Sequence, residues 1–346
     1  MSAPRLLLVD LAAASVNWSL PPWGEDRIRE AAGADWSVRF ARSTPGSAAA
    51  TAGEPSPEAL DAAPEAEAYF GFGLSKKVFA GASRLRWVHT AAVGVRGLLF
   101  PEMRASAVLL TNSAGVMTDP IAEHVVGGVL YLLRAFDVAV ELQRRASWDK
   151  SPFVGAGSPI REVGECRVLV VGTGSIGQGI AGRLAALGAT CTGIRRRPEL
   201  GAPEGFARVA GPEAFDDEVT RADIVVLAAP HTPETHALLD GRRLDCLPPQ
   251  AIVVNVARGA LLDEDALAER VRAGRLRGAV LDVFREEPLP ASSPLWGLPS
   301  VLATPHVSAV SPRRFWEREL ELFLDNWSRY RAGEALRNLV DKEAGY

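Results

Sequence analysis

Residues 166–197 read CRVLVVGTGSIGQGIAGRLAALGATCTGIRRR, and the fold turns on them. A β-rich run, 166–172, passes through closely spaced glycines into a stretch where Ile176, Ile180, Leu184 and Leu187 recur at helical spacing. Strand, glycine turn and helix in that order describe a dinucleotide-binding loop. Gly172 permits the tight turn, Gly174 lets the backbone approach a pyrophosphate, and Gly177 lets the helix pack closely on the strand. The helix start then offers free N–H groups and a positive dipole end to the phosphates. About twenty residues past the first glycine, this loop ordinarily carries a carboxylate for the adenosine ribose hydroxyls. Here the strand 190–194 runs instead into Arg195, Arg196 and Arg197. A carboxylate would repel a ribose 2′-phosphate, whereas arginine pairs with it. One such charge-assisted contact is worth about 1.5–3 kcal/mol, roughly ten- to a hundredfold in affinity. The expected cofactor is therefore NADP(H) in preference, with NAD(H) as the other candidate.

Strand-like and helix-like runs alternate on both sides of this stretch. Before it, 5–10, 67–71, 86–90 and 107–111 read as buried strands of a first parallel sheet. Residues 42–66, rich in Ala, Pro and Ser, read as loop plus a polar helix, and 119–145 as one long helix. In the second series, 166–172, 190–194, 222–229, 251–257, 278–284 and 300–304 read as strands. Helices at 176–187 and 263–273 separate some of them, the second capped by Asp263, and a last helix spans 312–332. The alternation implies α/β architecture: doubly wound parallel sheets with ligands at the carboxyl ends of the strands.

At 346 residues the chain has room for two domains. Its 47% hydrophobic and 23% charged residues are the balance of a soluble globular protein, and a net charge of −4 argues against a nucleic-acid partner. No apolar run approaches the roughly 18 residues of a membrane span. Three cysteines without CxxC spacing suit a reduced, cytoplasmic setting better than disulfides or a zinc site. His231 and His236, five apart in a loop-like stretch, do not share a helix face, so no metal is expected there.

Three further stretches carry chemistry: VVNVARGALLDEDAL with Arg258, LDVFREEPLP with Asp282 and Glu287, and ATPHVSAVSP with His306. Each begins at the end of an expected strand. An arginine there can hold a planar carboxylate through two hydrogen bonds. A histidine can give or take a proton near neutral pH, and a neighbouring glutamate can orient it and favour its protonated form. The set suits reduction of a carbonyl next to a carboxylate.

These stretches, with AEHVVGGVLYLLR, HTPETHALLD and TPHVSA, resemble the D-isomer-specific 2-hydroxyacid dehydrogenases, among them the glyoxylate/hydroxypyruvate reductases. The resemblance covers nearly the whole chain and is strongest over 112–310. It implies two Rossmann-like domains: a flavodoxin-like substrate domain, 1–115 with 308–346, interrupted by a nucleotide-binding domain, 116–307. It implies that Arg258 clamps the substrate carboxylate and carbonyl, that His306 is the general acid/base, and that Glu287 pairs with it. Ser175 and Ile176 would meet the pyrophosphate, Pro230 and Thr235 would border the cofactor cleft, and Val256, Ala257 and Asp282 would line the nicotinamide pocket. In the first domain AAVGVRG resembles the substrate loop, with backbone N–H groups of Val93 and Gly94 turned to the substrate carboxylate. The family usually has aspartate where Arg96 stands, and Arg96 is given no catalytic role. The long helix from Asp119 would serve as hinge and dimer contact, although its pattern equally suits ordinary core; His124 within it is read as packed. The implied partners are a small 2-oxo or 2-hydroxy acid and a second copy of the chain. Substrate choice is expected to rest on loops 43–55 and 71–77, where Lys76 and Lys77 read as a solvated helix end. Two other readings stay open: a nucleotide-binding regulatory protein of the same fold, and an NAD-dependent enzyme resembling phosphoglycerate dehydrogenase.

Overall fold

The run RLLLVD forms strand β1 (Arg5–Asp10), and its residues Leu6, Leu7, Leu8 and Val9 are all buried. Consecutive apolar residues point alternately to opposite faces of a strand, so such a run must be covered on both sides. The computed structural model describes residues 5–12, 18–42 and 56–345, and the expected specificity loop 43–55 lies outside them. The chain divides into two compact units, Met1–Met117 with Ser311–Tyr346, and Thr118–Val310.

The first unit holds β1, β2 (Trp36–Phe40), β3 (Ala66–Gly71), β4 (Trp87–Thr90) and β5 (Leu109–Asn112) in the order β2-β1-β3-β4-β5, every pair parallel. Strand β2 is absent from the expected set because, at the sheet edge, its residues alternate in burial and show no apolar run. Of the expected polar helix within 42–66, Pro57–Ala62 is seen, its N-terminus capped by Ser56 Oγ accepting from Ala59 N at 3.1 Å. One face of the sheet packs on the helices Pro22–Ala32 and Phe315–Ala332. There Phe70 stacks on Phe323 at 4.0 Å and Trp36 meets Trp327 edge-on at 4.7 Å. The last helix thus completes the core begun by the N-terminal strands.

The second unit contains β6 (Arg167–Val171), β7 (Thr190–Ile194), β8 (Arg208–Ala210), β9 (Ile224–Leu227), β10 (Ile252–Asn255), β11 (Gly278–Leu281) and β12 (Val301–Ala303). Their order is β12-β11-β10-β9-β6-β7-β8, all parallel. Chain direction across the sheet reverses between β6 and β9, the point where doubly wound sheets open a crevice for ligands. Most strands are shorter than their apolar runs, because the residues that follow, such as Asp282 and Val283, are buried in loops rather than paired. Asp263 caps the helix Glu264–Arg272, as expected, accepting from Ala266 N at 3.0 Å. Among the described residues no helix is long and apolar enough to cross a membrane.

The expected long helix over 119–145 is two helices, Thr118–Leu133 and Phe136–Arg144, broken at Ala135 with φ 55°. The first packs Ile121, Val125, Val129 and Leu132 into the second unit. Gly128 lies so close to β11 that a Cβ there would come within 2.6 Å of Val280 Cγ1. The break leaves Asp137 buried, with its carboxylate on Arg277 at 2.6 and 2.9 Å, while Arg277 Nη2 also donates to Leu132 O at 2.8 Å. Hydrophobic periodicity ran on through this break because helical spacing resumes beyond it.

Removing one partner of a buried ion pair leaves an uncompensated charge, at a cost of about 3–5 kcal/mol. Asp137→Ala is therefore expected to lower Tm of this unit by roughly 10 °C or more. Differential scanning calorimetry measures this.

Candidate functional site

The glycine turn sits at the sheet's reversal point and is shaped by backbone crowding. Gly172 has φ +98°, and a Cβ on it would come within 2.7 Å of Ala228 O, the carbonyl just past β9. A Cβ on Gly177 would lie 1.9 Å from Gly172 O, so the helix can approach β6 only with glycine there. Gly174 is different: its Cβ position opens on space. It is the N-cap of the helix Ser175–Ala186, and no side chain caps that end. The N–H groups that begin with Ser175 and Ile176 thus lack a side-chain acceptor, which suits a phosphate ligand. The residues present fit a dinucleotide.

Strand β7 delivers the arginines to this turn. Gly172 N donates to Ile194 O at 2.9 Å, so Arg195, half-buried, begins beside the first glycine. Its backbone N–H bonds Ala210 O at 3.0 Å, and its guanidinium reaches Gly201 O at 3.4 Å. Arg196 and Arg197 are exposed. The loop after β9 is tied by Thr235, whose Oγ1 donates to Pro230 O at 2.7 Å and accepts from Thr232 N at 2.8 Å. In this loop the Glu234 carboxyl is held below its usual range, chiefly by a hydrogen bond from Thr232, with the charge of Arg196 adding to it. The same loop brings His231 Nε2 and His236 Nδ1 to 3.2 Å.

Arg258, Glu287 and His306 follow β10, β11 and β12, three neighbouring strands. Buried Asn255 shapes the first turn: its Oδ1 accepts from Ala257 N at 3.1 Å and its Nδ2 donates to Arg258 O at 2.9 Å. Val256 and Ala257 are buried, while Arg258 reaches the surface with Nη1 on Ala257 O at 2.5 Å. A Cβ on Gly259 would lie 1.9 Å from the carbonyl carbon of Phe284, so glycine here lets the Arg258 turn press against the Phe284–Glu287 loop. Glu264 fastens that loop from the helix side, accepting from Arg285 N at 2.6 Å; burial pushes its carboxyl up.

Glu287 bridges two groups. Oε1 accepts from Phe284 N at 3.0 Å, and Oε2 meets His306 Nδ1 at 2.8 Å. A carboxylate on Nδ1 fixes the ring's orientation and points Nε2 away from Glu287. His306 has φ +53°, a left-handed conformation rare outside glycine, and its N–H donates to Asp282 O at 2.9 Å.

Asp282, expected at the nicotinamide, is fully buried, and its carboxylate is engaged within its own unit. Oδ1 accepts from Thr304 Oγ1 at 2.6 Å and Val307 N at 2.9 Å, and Oδ2 accepts from Ser308 N at 2.9 Å. In this structure it builds the turn that presents His306. His124, expected as a packed helix residue, is half-buried with Nε2 3.2 Å from Thr304 Oγ1.

In the first unit the Ala92–Val95 loop follows β4. Asn112 Nδ2 holds Val93 O at 2.9 Å, Ser113 N holds Ala92 O at 3.1 Å, and Gly94 is exposed. Lys76 begins a helix capped by Ser75, with Nζ 5.8 Å from the centre of the Phe100 ring. Asn255, Gly259 and Glu264 escaped the sequence reading because each acts on backbone brought near by the fold, and Thr304 because its hydroxyl bonds side chains 22 and 180 residues away. Gly259, directly after Arg258, was the one visible signal. Cys166 and Cys191 are buried, and burial pushes both thiols up, that of Cys191 to about 11, which favours their protonated form near neutral pH.

A family model described as "D-isomer specific 2-hydroxyacid dehydrogenase, NAD binding domain" matches residues 126–308. A D-3-phosphoglycerate dehydrogenase of Mycobacterium leprae is 38% identical over 72% of this chain; the chain spans 46% of that protein's length. A glyoxylate reductase of Thermofilum pendens is 31% identical, over 78% of this chain and 79% of its own. Among solved structures, a D-isomer specific 2-hydroxyacid dehydrogenase from Xanthobacter autotrophicus, in complex with NADPH and MES, superposes with TM-score 0.77. It is 30% identical, over 98% of this chain and 99% of that one.

Two glycines of one helix should respond oppositely to substitution. Gly177→Ala forces helix and turn apart, at about 1–3 kcal/mol, and is expected to weaken nicotinamide dinucleotide binding by about tenfold or more. Gly182→Ala, whose Cβ meets nothing within 4 Å, should leave binding unchanged and raise Tm slightly. Fluorescence titration with NADPH and thermal melts test both.

Proposed function

The chain belongs to the D-isomer specific 2-hydroxyacid dehydrogenase family, and on that premise we propose that it is an NADP(H)-preferring 2-oxo acid reductase forming D-2-hydroxy acids. The observation that carries this reading is the pairing of His306 Nδ1 with Glu287 at 2.8 Å, one strand away from Arg258. In this assignment the unit Thr118–Val310 binds nucleotide and the other unit binds substrate. Gly172, Gly174, Ser175, Ile176 and Gly177 receive the pyrophosphate. Pro230, Thr235, Val256 and Ala257 line the cofactor's path. Arg195 and Arg196 take the 2′-phosphate.

A bound nicotinamide dinucleotide supplies the hydride. Arg258 holds the 2-oxo acid by its carboxylate and polarises the neighbouring carbonyl. In the other unit, Val93 and Gly94 offer backbone N–H groups for a substrate carboxylate. His306 gives the proton from Nε2 to the carbonyl oxygen as hydride adds to carbon, and takes it back in oxidation. Glu287 stabilises the imidazolium through Nδ1. Asp282 supports the turn behind the histidine.

The preference for NADP(H) rests on the arginines where a ribose-binding carboxylate would otherwise stand, and the NADPH bound by the Xanthobacter relative accords with it. A second reading, an NAD-dependent phosphoglycerate dehydrogenase-like enzyme, is favoured by the Mycobacterium leprae relative. A regulatory nucleotide-binding protein would have no need of the Arg258, Glu287 and His306 set. Exposed Phe136, Trp148 and Val154 offer apolar surface for a homodimer. Free, buried Cys166 and Cys191 suit a reducing, cytoplasmic setting.

NADPH consumption at 340 nm with glyoxylate, hydroxypyruvate, pyruvate and bulkier 2-oxo acids tests the function. Binding without turnover of any of them would leave the regulatory reading, and oxidation of D-3-phosphoglycerate with NAD alone would establish the second one. Arg258→Ala is expected to cost roughly a hundredfold or more in kcat/KM. Arg195→Asp should lower the NADPH/NADH ratio of kcat/KM by about tenfold or more. An unchanged ratio would remove Arg195 from cofactor choice.

A further inference from the structure

A threonine hydroxyl has one proton to give. Thr304 gives it to Asp282 Oδ1 at 2.6 Å, an oxygen that only accepts. The His124 nitrogen Nε2, 3.2 Å from the same Thr304 oxygen, must then be the donor. The hydrogen bonds therefore run one way, from His124 through Thr304 to Asp282, and His124 carries its proton on Nε2.

Asp282 is fully buried and forms no ion pair among the described residues, so the Thr304 hydroxyl and the Val307 and Ser308 N–H groups solvate its charge. Two of these three donors belong to the turn that follows His306. His306 itself, in its strained left-handed conformation, is tied to the Asp282 carbonyl. A displaced carboxylate would move both ends of this turn.

His124 is well placed to prevent that. It stands one helical turn before Gly128, whose contact with Val280 seats the helix Thr118–Leu133 directly on β11, the strand that ends one residue before Asp282. Donor and carboxylate are thus carried by elements locked together.

We propose that His124 is a positioning residue: through the Thr304 hydroxyl it fixes the Asp282 carboxylate, and through Asp282 the turn that aims His306 at substrate. The proposal rests on the reading of His306 as the proton donor, but its structural half is measurable without turnover.

The test compares His124→Leu and Thr304→Val, which break the relay, with His124→Gln and Thr304→Ser, which keep a donor at each place. In the full-length protein, amide exchange at Val307 and Ser308 should be at least about tenfold faster in the first pair and close to wild type in the second. With the best 2-oxo acid, kcat should fall about fivefold or more in the first pair while KM stays within about threefold. Unchanged exchange in Thr304→Val and His124→Leu would overturn the proposal. So would an equal loss of kcat in His124→Gln and His124→Leu. If wild-type protein turns over no 2-oxo acid, the functional reading fails, and exchange alone decides whether His124 holds the turn.

Discussion

Seven strands that run the same way must end at one edge, and that edge collects every group assigned to the second unit's chemistry. β6 brings the glycine turn, β7 the arginines, β9 the Pro230–His236 loop, and β10, β11 and β12 bring Arg258, Glu287 and His306. Parallel pairing allows no hairpin, so each strand is followed by a return segment on one face or the other. The reversal between β6 and β9 sends those segments to opposite faces and leaves the crevice in which Gly172 crowds Ala228 O. Without that topology, residues as far apart in sequence as Arg195 and His306 would have no common edge.

Within the edge, precision comes from buried polar groups. Asn255 folds the Arg258 turn, Glu264 ties the loop after β11, and Asp282 gathers Thr304, Val307 and Ser308 around His306. Each would be costly to bury alone, and each is buried because the backbone beside it supplies donors or acceptors. The strain at His306, φ +53°, persists because these contacts over-determine it. Exposed His306 and Glu287 thus stand on a turn whose supporting polar groups are buried.

Legibility in the sequence followed the strength of local signals. The glycine turn was legible because strand, three small residues and an apolar helix lie within a few turns of chain. Arg258, Glu287 and His306 were legible because each lies within a few residues of the end of an apolar run and belongs to a stretch resembling a known family. Edge strands β2 and β8 were not, since an edge strand needs no continuous apolar run. The break at Ala135 was invisible for a related reason. It exists to bury Asp137 against Arg277, 140 residues away, and no local pattern records such a partner.

The sequence by itself determined the α/β class, the nucleotide turn, the charge of the arginines that follow β7, and the residue types suited to proton transfer beside a carboxylate. These are properties of short windows, where spacing and side-chain chemistry suffice. Tertiary structure alone decided that Asp282 faces the turn of its own chain, that Gly259 must be small because Phe284 passes over it, and that His124 is turned toward Thr304. Those facts depend on hydrogen-bond direction and backbone clearance between segments 22 to 180 residues apart. Such distances are set only once the sheet has closed.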